Sequence, residues 1–384
     1  MVEKLNYRRD RVGFTDDGFR HLFVVSADGG TPRQLTDGPY NHGAAAWTPD
    51  GKALLFSGLR ADDADWQWRE SEIYRIDVTT QQITQLTHRS GPDGQPTVSP
   101  DGKTIAYTGY DMTPDLDRSP QGLFWAADGS GVYFSTESEG SRNLNFVPAV
   151  GGAVKQVTKG THLLSVGQVD KTGWAVGARS AWLQPSDVVR FNVSRPDQVT
   201  QLTAVNEDLL AGKELAAIEE FWYPSVDGLR IQGWIVKPPA FDPKKRYPLI
   251  LEIHGGPFAD YGDRFGAEMQ LYAAAGYVVL YTNPRGSTSY GEEFGNLIHH
   301  DYPSHDYDDL MSGVDAVLAK GYVDPEQLFV TGGSGGGVLT AWIVDKTDRF
   351  RAAVSAKPVI NWMSFALTSD STNFFARYWF AAPP

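Results

Sequence analysis

The sequence predicts two halves of different class. The first is all-β and built of propeller blades, partial and about four in number. The second alternates strands with helices around a mostly parallel sheet. Two short markers recur at about 40–50-residue spacing before residue 210. From about residue 214 the spacing changes to strands separated by amphipathic helices. A glycine-rich turn around Ser334 then stands between a buried-type strand and an apolar helix.

The first marker is a Ser/Thr-Pro-Asp-Gly-Lys turn before a β-prone run. It occurs at Thr48-Pro49-Asp50-Gly51-Lys52 and at Ser99-Pro100-Asp101-Gly102-Lys103, with a third copy at Ala127-Asp128-Gly129. Asp-Gly ahead of β-branched and aromatic residues is a hairpin signal. The second marker ends a strand, at Leu35-Thr36, Leu86-Thr87, Val157-Thr158 and Leu202-Thr203. Each unit reads as about four short strands, one blade. Unrelated hairpins of a β-sandwich seldom repeat two markers in a fixed order. If Met112-Thr113 is counted, the threonine spacings are 51, 26, 45 and 45 residues. The unit from Asp101 to Thr113 is therefore short and should lack one or two strands. The expectation is a truncated propeller with open sheet edges that favour self-association.

In the second half, Ile231–Val236, Tyr247–Ile253 and Gly276–Tyr281 read as strands. Tyr307, Leu310, Met311, Val314, Val317 and Leu318 then follow helical spacing up to a C-capping Gly321. Leu328–Thr331 is a short strand running into Gly332-Gly333-Ser334-Gly335-Gly336-Gly337, and Val338–Val344 continues as a helix. Strand, G-x-S-x-G turn and helix form the nucleophile elbow of an α/β-hydrolase domain. A Walker loop needs Gly-Lys-Ser/Thr at its end, whereas Val338-Leu339 follows Gly337. A dinucleotide fingerprint would open the first βαβ unit, and this run follows at least three strands.

Ser334 is thus the candidate nucleophile. The Gly335 N–H at the helix start and the Gly256 N–H in His254-Gly255-Gly256-Pro257 are candidate oxyanion donors. His254 and Gly255 read as support for that loop rather than as a base. His299, His300 and His305 lack the spacing of a metal site and read as a solvated loop.

Composition narrows the function. With 34 basic and 47 acidic side chains the formal charge is −13, which disfavours a nucleic-acid partner. There is no cysteine, so disulfides, thiolate metal sites and a cysteine nucleophile are excluded. Residues 1–10 lack the apolar core of a secretory signal, and nowhere do about 18 apolar residues run together as a span requires. As written, the expectation is a soluble, cytoplasmic chain with no membrane partner.

With these residues in hand, the chain resembles the prolyl oligopeptidase family of serine peptidases and, within it, the acylaminoacyl-peptidase and dipeptidyl-peptidase-like branch. The resemblance rests on the propeller repeats, His254-Gly255-Gly256-Pro257-Phe258, Asn283-Pro284-Arg285-Gly286-Ser287 with Tyr290-Gly291, and the elbow followed by Thr347–Val354. It implies a propeller over residues 1–213 that filters access to an α/β-hydrolase domain over 214–384. It also implies oligopeptide substrates and no metal or organic cofactor. Mapped onto this chain, Ser334 is the nucleophile, with the Gly256 and Gly335 amides as oxyanion hole. The family usually carries an aromatic residue where Gly335 stands. In this fold the acid and then the histidine follow the serine. Here the last histidine is His305, and the acids beyond Ser334 are Asp345, Asp348 and Asp370. The expectation is therefore a domain whose C-terminal strands, triad Asp and triad His are missing, giving a weakly active or inactive polypeptide. An esterase of the same fold and a non-catalytic propeller module with a dead hydrolase domain are the alternatives.

Overall fold

The structure is a computed structural model that describes residues 7–10, 12–15, 18–67, 69–109 and 115–381. In the first half every described sheet is built of short neighbouring strands. Phe23–Val24 pairs with Arg33–Gln34. His42–Trp47, Ala53–Gly58, Glu72–Asp77 and Ile83–Gln85 form a four-stranded antiparallel meander. Gly94–Val98 and Ile105–Thr108 make a two-stranded unit, and Gln121–Trp125 opens the next sheet. Met112 and Thr113, on which the short spacing rests, lie outside the described residues. The last sheet of this half joins two meanders, ending at Gln156 and Gln201, through one parallel contact of Arg142 with Leu163.

Both sequence markers have a physical basis. In the turns, Asp50, Asp101 and Asp128 accept the N–H two residues on, from Lys52, Lys103 and Ser130, while Gly51, Gly102 and Gly129 take positive φ. Asp170-Lys171-Thr172-Gly173 is a further copy that sequence reading missed, with Asp170 accepting from Thr172 and Trp174. The marker threonines stand just past a strand end. Each hydroxyl accepts the N–H of a residue 14 or 15 positions earlier, from Leu22 to Thr36, Ile73 to Thr87, Leu144 to Thr158 and Val188 to Thr203, all at 2.9 Å. A threonine there supplies an acceptor where the strand ladder gives out.

The second half is one six-stranded sheet in the order Ala217–Pro224, Arg230–Lys237, Val278–Asn283, Tyr247–Ile253, Val323–Gly333, Ala352–Ala356. The first two strands are antiparallel to their neighbours and the remaining pairs are parallel. The strand into the elbow is longer than Leu328–Thr331, because it already pairs at Val323 before a register shift carries it past Asp324-Pro325-Glu326. Helix Asp306–Leu318 buries Leu310, Met311, Val314 and Val317 against the sheet, as its spacing requires. Its C-cap is Ala319, and Gly321 turns the chain two residues later at φ 85°. From Asn283 the chain crosses over the Tyr247–Ile253 strand to reach the elbow strand on its far side. The crevice at the carboxyl ends of these strands is where such sheets place their ligands.

The two halves meet at several places, with Glu292 N donating to Asp117, Phe265 N to Ser180 Oγ and Arg377 to Trp66 O, and at the hairpin tip Glu139-Gly140. Gly140 O accepts from Asp263 N, Gly140 N donates to Ser289 Oγ, and Glu139 N donates to Ser289 O. Trp182 Nε1 donates to Asp263 at 2.8 Å, and Ser141 Oγ also binds that carboxylate.

Candidate active site

Ile253 and Gly332 are register partners on adjacent parallel strands, so the loops that leave them start side by side. Ser334 follows the elbow strand and caps helix Gly335–Lys346, with φ 58° and ψ −117°. Such backbone is strained for a residue with a Cβ and persists only where its surroundings over-determine it. Here Ser334 N donates to Ala356 O at 2.9 Å, and Ser334 O accepts from Val338 N at 3.0 Å. The side chain makes no cap hydrogen bond and is exposed.

The glycines around it are required by close backbone approach. A Cβ on Gly336 would stand 2.1 Å from Ile253 O, one on Gly332 2.6 Å from Gly336 O, and one on Gly337 2.4 Å from Ala356 O. A Cβ on Gly335 would stand 2.6 Å from Gly256 N, so the His254–Pro257 loop occupies the space that a side chain after the serine would need. On the same loop, the position of a Cβ on Gly255 is 4.0 Å from Ser334 Oγ. The Gly335 N–H, first in its helix, has no intrahelical acceptor and sits at the positive end of the helix dipole. Gly256, Gly335 and Ser334 thus stand close together.

His254 faces elsewhere. Its Nδ1 is 2.5 Å from Gly255 O and its Nε2 3.0 Å from Ser287 Oγ, with Tyr261 edge-on at a ring-centroid distance of 5.2 Å. Burial pushes the imidazole down to about 4, so it is neutral at pH 7. Neither ring nitrogen is offered to Ser334. Asp345 lies on the elbow helix, Asp348 just past it, and Asp370 accepts the N–H of Asp10 at 3.2 Å. The His299 and His300 rings lie against each other at a tilt, His299 stacks on Tyr378, and His300 Nε2 meets Arg377 O. His305 Nδ1 pairs with Asp308 at 2.7 Å.

Two contacts with this site escaped sequence reading. Tyr302 Oη donates to Gly335 O at 2.8 Å, its ring against Trp379 and Trp362, and nothing local in the sequence marks it. Ser287 reaches His254 across 33 residues; the Asn283–Ser287 turn was the one signal for it. Chemically, an exposed hydroxyl on a strained turn with two amides beside it suits acyl transfer, in which those amides would meet a developing oxyanion.

Comparison with known proteins bears on this reading. The profile of the "Prolyl oligopeptidase family" matches residues 263–383, and that of the "Dipeptidyl peptidase IV (DPP IV) N-terminal region" matches residues 11–114. "Uncharacterized peptidase YuxL" of Bacillus subtilis is 32% identical over 426 aligned residues, covering 98% of this chain and 63% of that protein. "Dipeptidyl-peptidase 5" of Porphyromonas gingivalis is 27% identical, over 88% of this chain and 53% of its own length. Among solved structures, an acylaminoacyl peptidase in complex with Z-Gly-Gly-Phe-chloromethyl ketone superposes with TM-score 0.82 at 23% identity, covering all of this chain and 63% of that one. A puromycin-hydrolyzing peptidase of Mycobacterium tuberculosis does so with TM-score 0.68 at 18% identity, over 92% of this chain and 59% of its own. These structures show the fold, a propeller with an α/β-hydrolase domain, and the chain spans about half to two thirds of the length of these relatives. Motifs, fold and relatives all match the prolyl oligopeptidase family of serine peptidases.

Proposed function

We propose that this chain is a serine peptidase polypeptide acting on short peptides, acylaminoacyl- or dipeptidyl-peptidase-like, through an acyl-enzyme on Ser334. The Gly256 and Gly335 N–H groups serve as oxyanion donors. A partial propeller of about four blades, residues 1–213, stands beside an α/β-hydrolase unit, residues 214–384. The observation that carries the reading is Ser334 at φ 58° on a strand-to-helix turn, with the Gly256 amide against the adjoining glycine. Serine needs a base to attack at neutral pH. Among the described residues no imidazole is hydrogen-bonded to Ser334, and both nitrogens of His254 are engaged elsewhere. The 384-residue polypeptide is therefore a slow enzyme by itself, held to the residual ~10³–10⁴-fold acceleration that binding and an oxyanion hole supply. The outer strands Gln121–Trp125 and Arg195–Gln201 pair on one side only among the described residues, and such edges favour association of copies.

The test is intact-mass analysis after incubation with a fluorophosphonate, with turnover of aminoacyl and acylaminoacyl amides measured beside the matching esters. The expected result is a slow adduct abolished by Ser334→Ala, with weak cleavage of both substrate types. An adduct that survives Ser334→Ala overturns the nucleophile. Fast turnover overturns the missing base, and esters cleaved with amides untouched favour the esterase reading.

A further inference from the structure

The turn Asn283–Ser287 is held rigidly. Arg285 is buried, and its N–H, Nε and Nη2 all donate to Asp309, itself fully buried on helix Asp306–Leu318, at 2.8–2.9 Å. Its Nη1 meets Asp227 at 3.0 Å. The turn ends at Ser287, 1% exposed, whose Oγ lies 2.6 Å from Pro284 O and 3.0 Å from His254 Nε2.

Counting protons decides how these groups bond. Three contacts, His254 Nδ1 to Gly255 O, His254 Nε2 to Ser287 Oγ and Ser287 Oγ to Pro284 O, share two protons, because a neutral imidazole carries one and a hydroxyl one. With the ring proton on Nε2, the Nδ1 lone pair would face a carbonyl oxygen at 2.5 Å, a repulsive contact. With the proton on Nδ1, that contact is a hydrogen bond, and the Ser287 proton is free for Nε2. Pro284 O already accepts from Ser287 N at 3.1 Å, whereas Nε2 has no other donor among the described residues; donation to Nε2 leaves no proton between Ser287 Oγ and Pro284 O, so that 2.6 Å contact must lengthen when the hydroxyl turns from the carbonyl to the ring.

We propose that Ser287 is a positioning residue for the oxyanion amide: its hydroxyl donates to His254 Nε2 and fixes the Nδ1–H tautomer, which holds the Gly255 carbonyl. C=O and N–H of one trans peptide point in opposite directions. Holding Gly255 O by the imidazole therefore turns the Gly256 N–H away from His254. Gly256 N lies on the elbow side of the loop, 2.6 Å from where a Cβ on Gly335 would stand. The inference rests on Ser334 as nucleophile for its catalytic meaning, but not for the tautomer.

Long-range ¹H–¹⁵N correlation on ring-labelled histidine, with His254 assigned by its loss in His254→Gln, reads the tautomer directly. At pH 7 the parent is expected to show a protonated Nδ1 and an accepting Nε2. Ser287→Ala should lose that state and Ser287→Thr keep it. In parallel, the rate of fluorophosphonate adduct formation at Ser334 should fall about 10- to 100-fold in Ser287→Ala, less than the ~10²–10³ for outright loss of one oxyanion donor, and recover in Ser287→Thr. A proton on Nε2 in the parent overturns the proposal even if no Ser287 variant folds, as does a tautomer or an adduct rate unchanged in Ser287→Ala. If the parent shows the Nδ1–H tautomer yet forms no adduct at Ser334, the nucleophile reading fails and the tautomer assignment stands.

Discussion

His254 was legible as a loop histidine, since triad histidines in this fold follow the serine, but its burial was not, because Ser287 and Tyr261 come from other loops. That burial has a pH signature. The imidazole is pushed down to about 4 from an ordinary 6.5, chiefly by desolvation. Between these values the unfolded chain binds a proton that the folded chain refuses. The stability is therefore fully present above about pH 6.5 and lost as pH falls toward 4, by about 3 kcal/mol over the whole window. Asp306 and Glu252, both pushed up to about 7 by burial, work in the opposite sense, since their folded forms hold protons and lose stability as pH rises. The His254 contribution is isolated by comparing parent with His254→Gln in denaturant at pH 7.5 and pH 4.5. The parent should lose about 2–3 kcal/mol relative to the variant at the lower pH. A difference that does not change with pH would show that the ring does not titrate in this window.

The elbow was the most legible element, because G-x-S-x-G between a strand and a helix constrains backbone within six residues of sequence. What could not be read was which glycine meets what, since the atoms they meet come from Ile253, Gly256 and Ala356. The strand before the elbow was underestimated because Asp324-Pro325-Glu326 has the composition of a turn, and its pairing with Tyr247 is long-range. Gly336 and Gly335 should respond differently to alanine. At Gly336 the new methyl would stand 2.1 Å from a carbonyl of the central sheet, which cannot move. Gly336→Ala should cost 3 kcal/mol or more, roughly the upper end of overpacking costs, visible as a lowered denaturation midpoint. At Gly335 the methyl would stand 2.6 Å from Gly256 N, so the backbone of the oxyanion loop must shift, while helix propensity favours alanine by about 1 kcal/mol. Gly335→Ala should therefore cost less stability than Gly336→Ala but slow the Ser334 adduct at least tenfold, roughly the lower range for a disturbed oxyanion donor. Equal effects of the two substitutions on both measurements would contradict this geometry.

At the scale of the molecule, the division into an all-β and an α/β half was readable from the change of period near residue 214, whereas the way the halves join was not. One part of the joint is a hairpin tip, Glu139-Gly140, whose partners Asp263 and Ser289 are more than 120 residues away. Gly140 stands at φ 79°, and a Cβ there would be 2.8 Å from Trp234. Gly140→Ala should loosen the joint by about 1–3 kcal/mol, detected as faster hydrogen exchange at the Glu139 and Asp263 amides with the sheet cores unchanged. Exchange as slow as in the parent would mean that the tip is not what holds the halves. The marker threonines carry a consequence for how the chain finds its fold. Each ties residues 14 or 15 positions apart, so every meander is laced from within and its loops close at small entropic cost. The α/β sheet must instead bring Tyr247 to Val323 before its core can close. Contacts of such separation slow folding, so the meanders consolidate before the crevice that holds Ser334 takes shape.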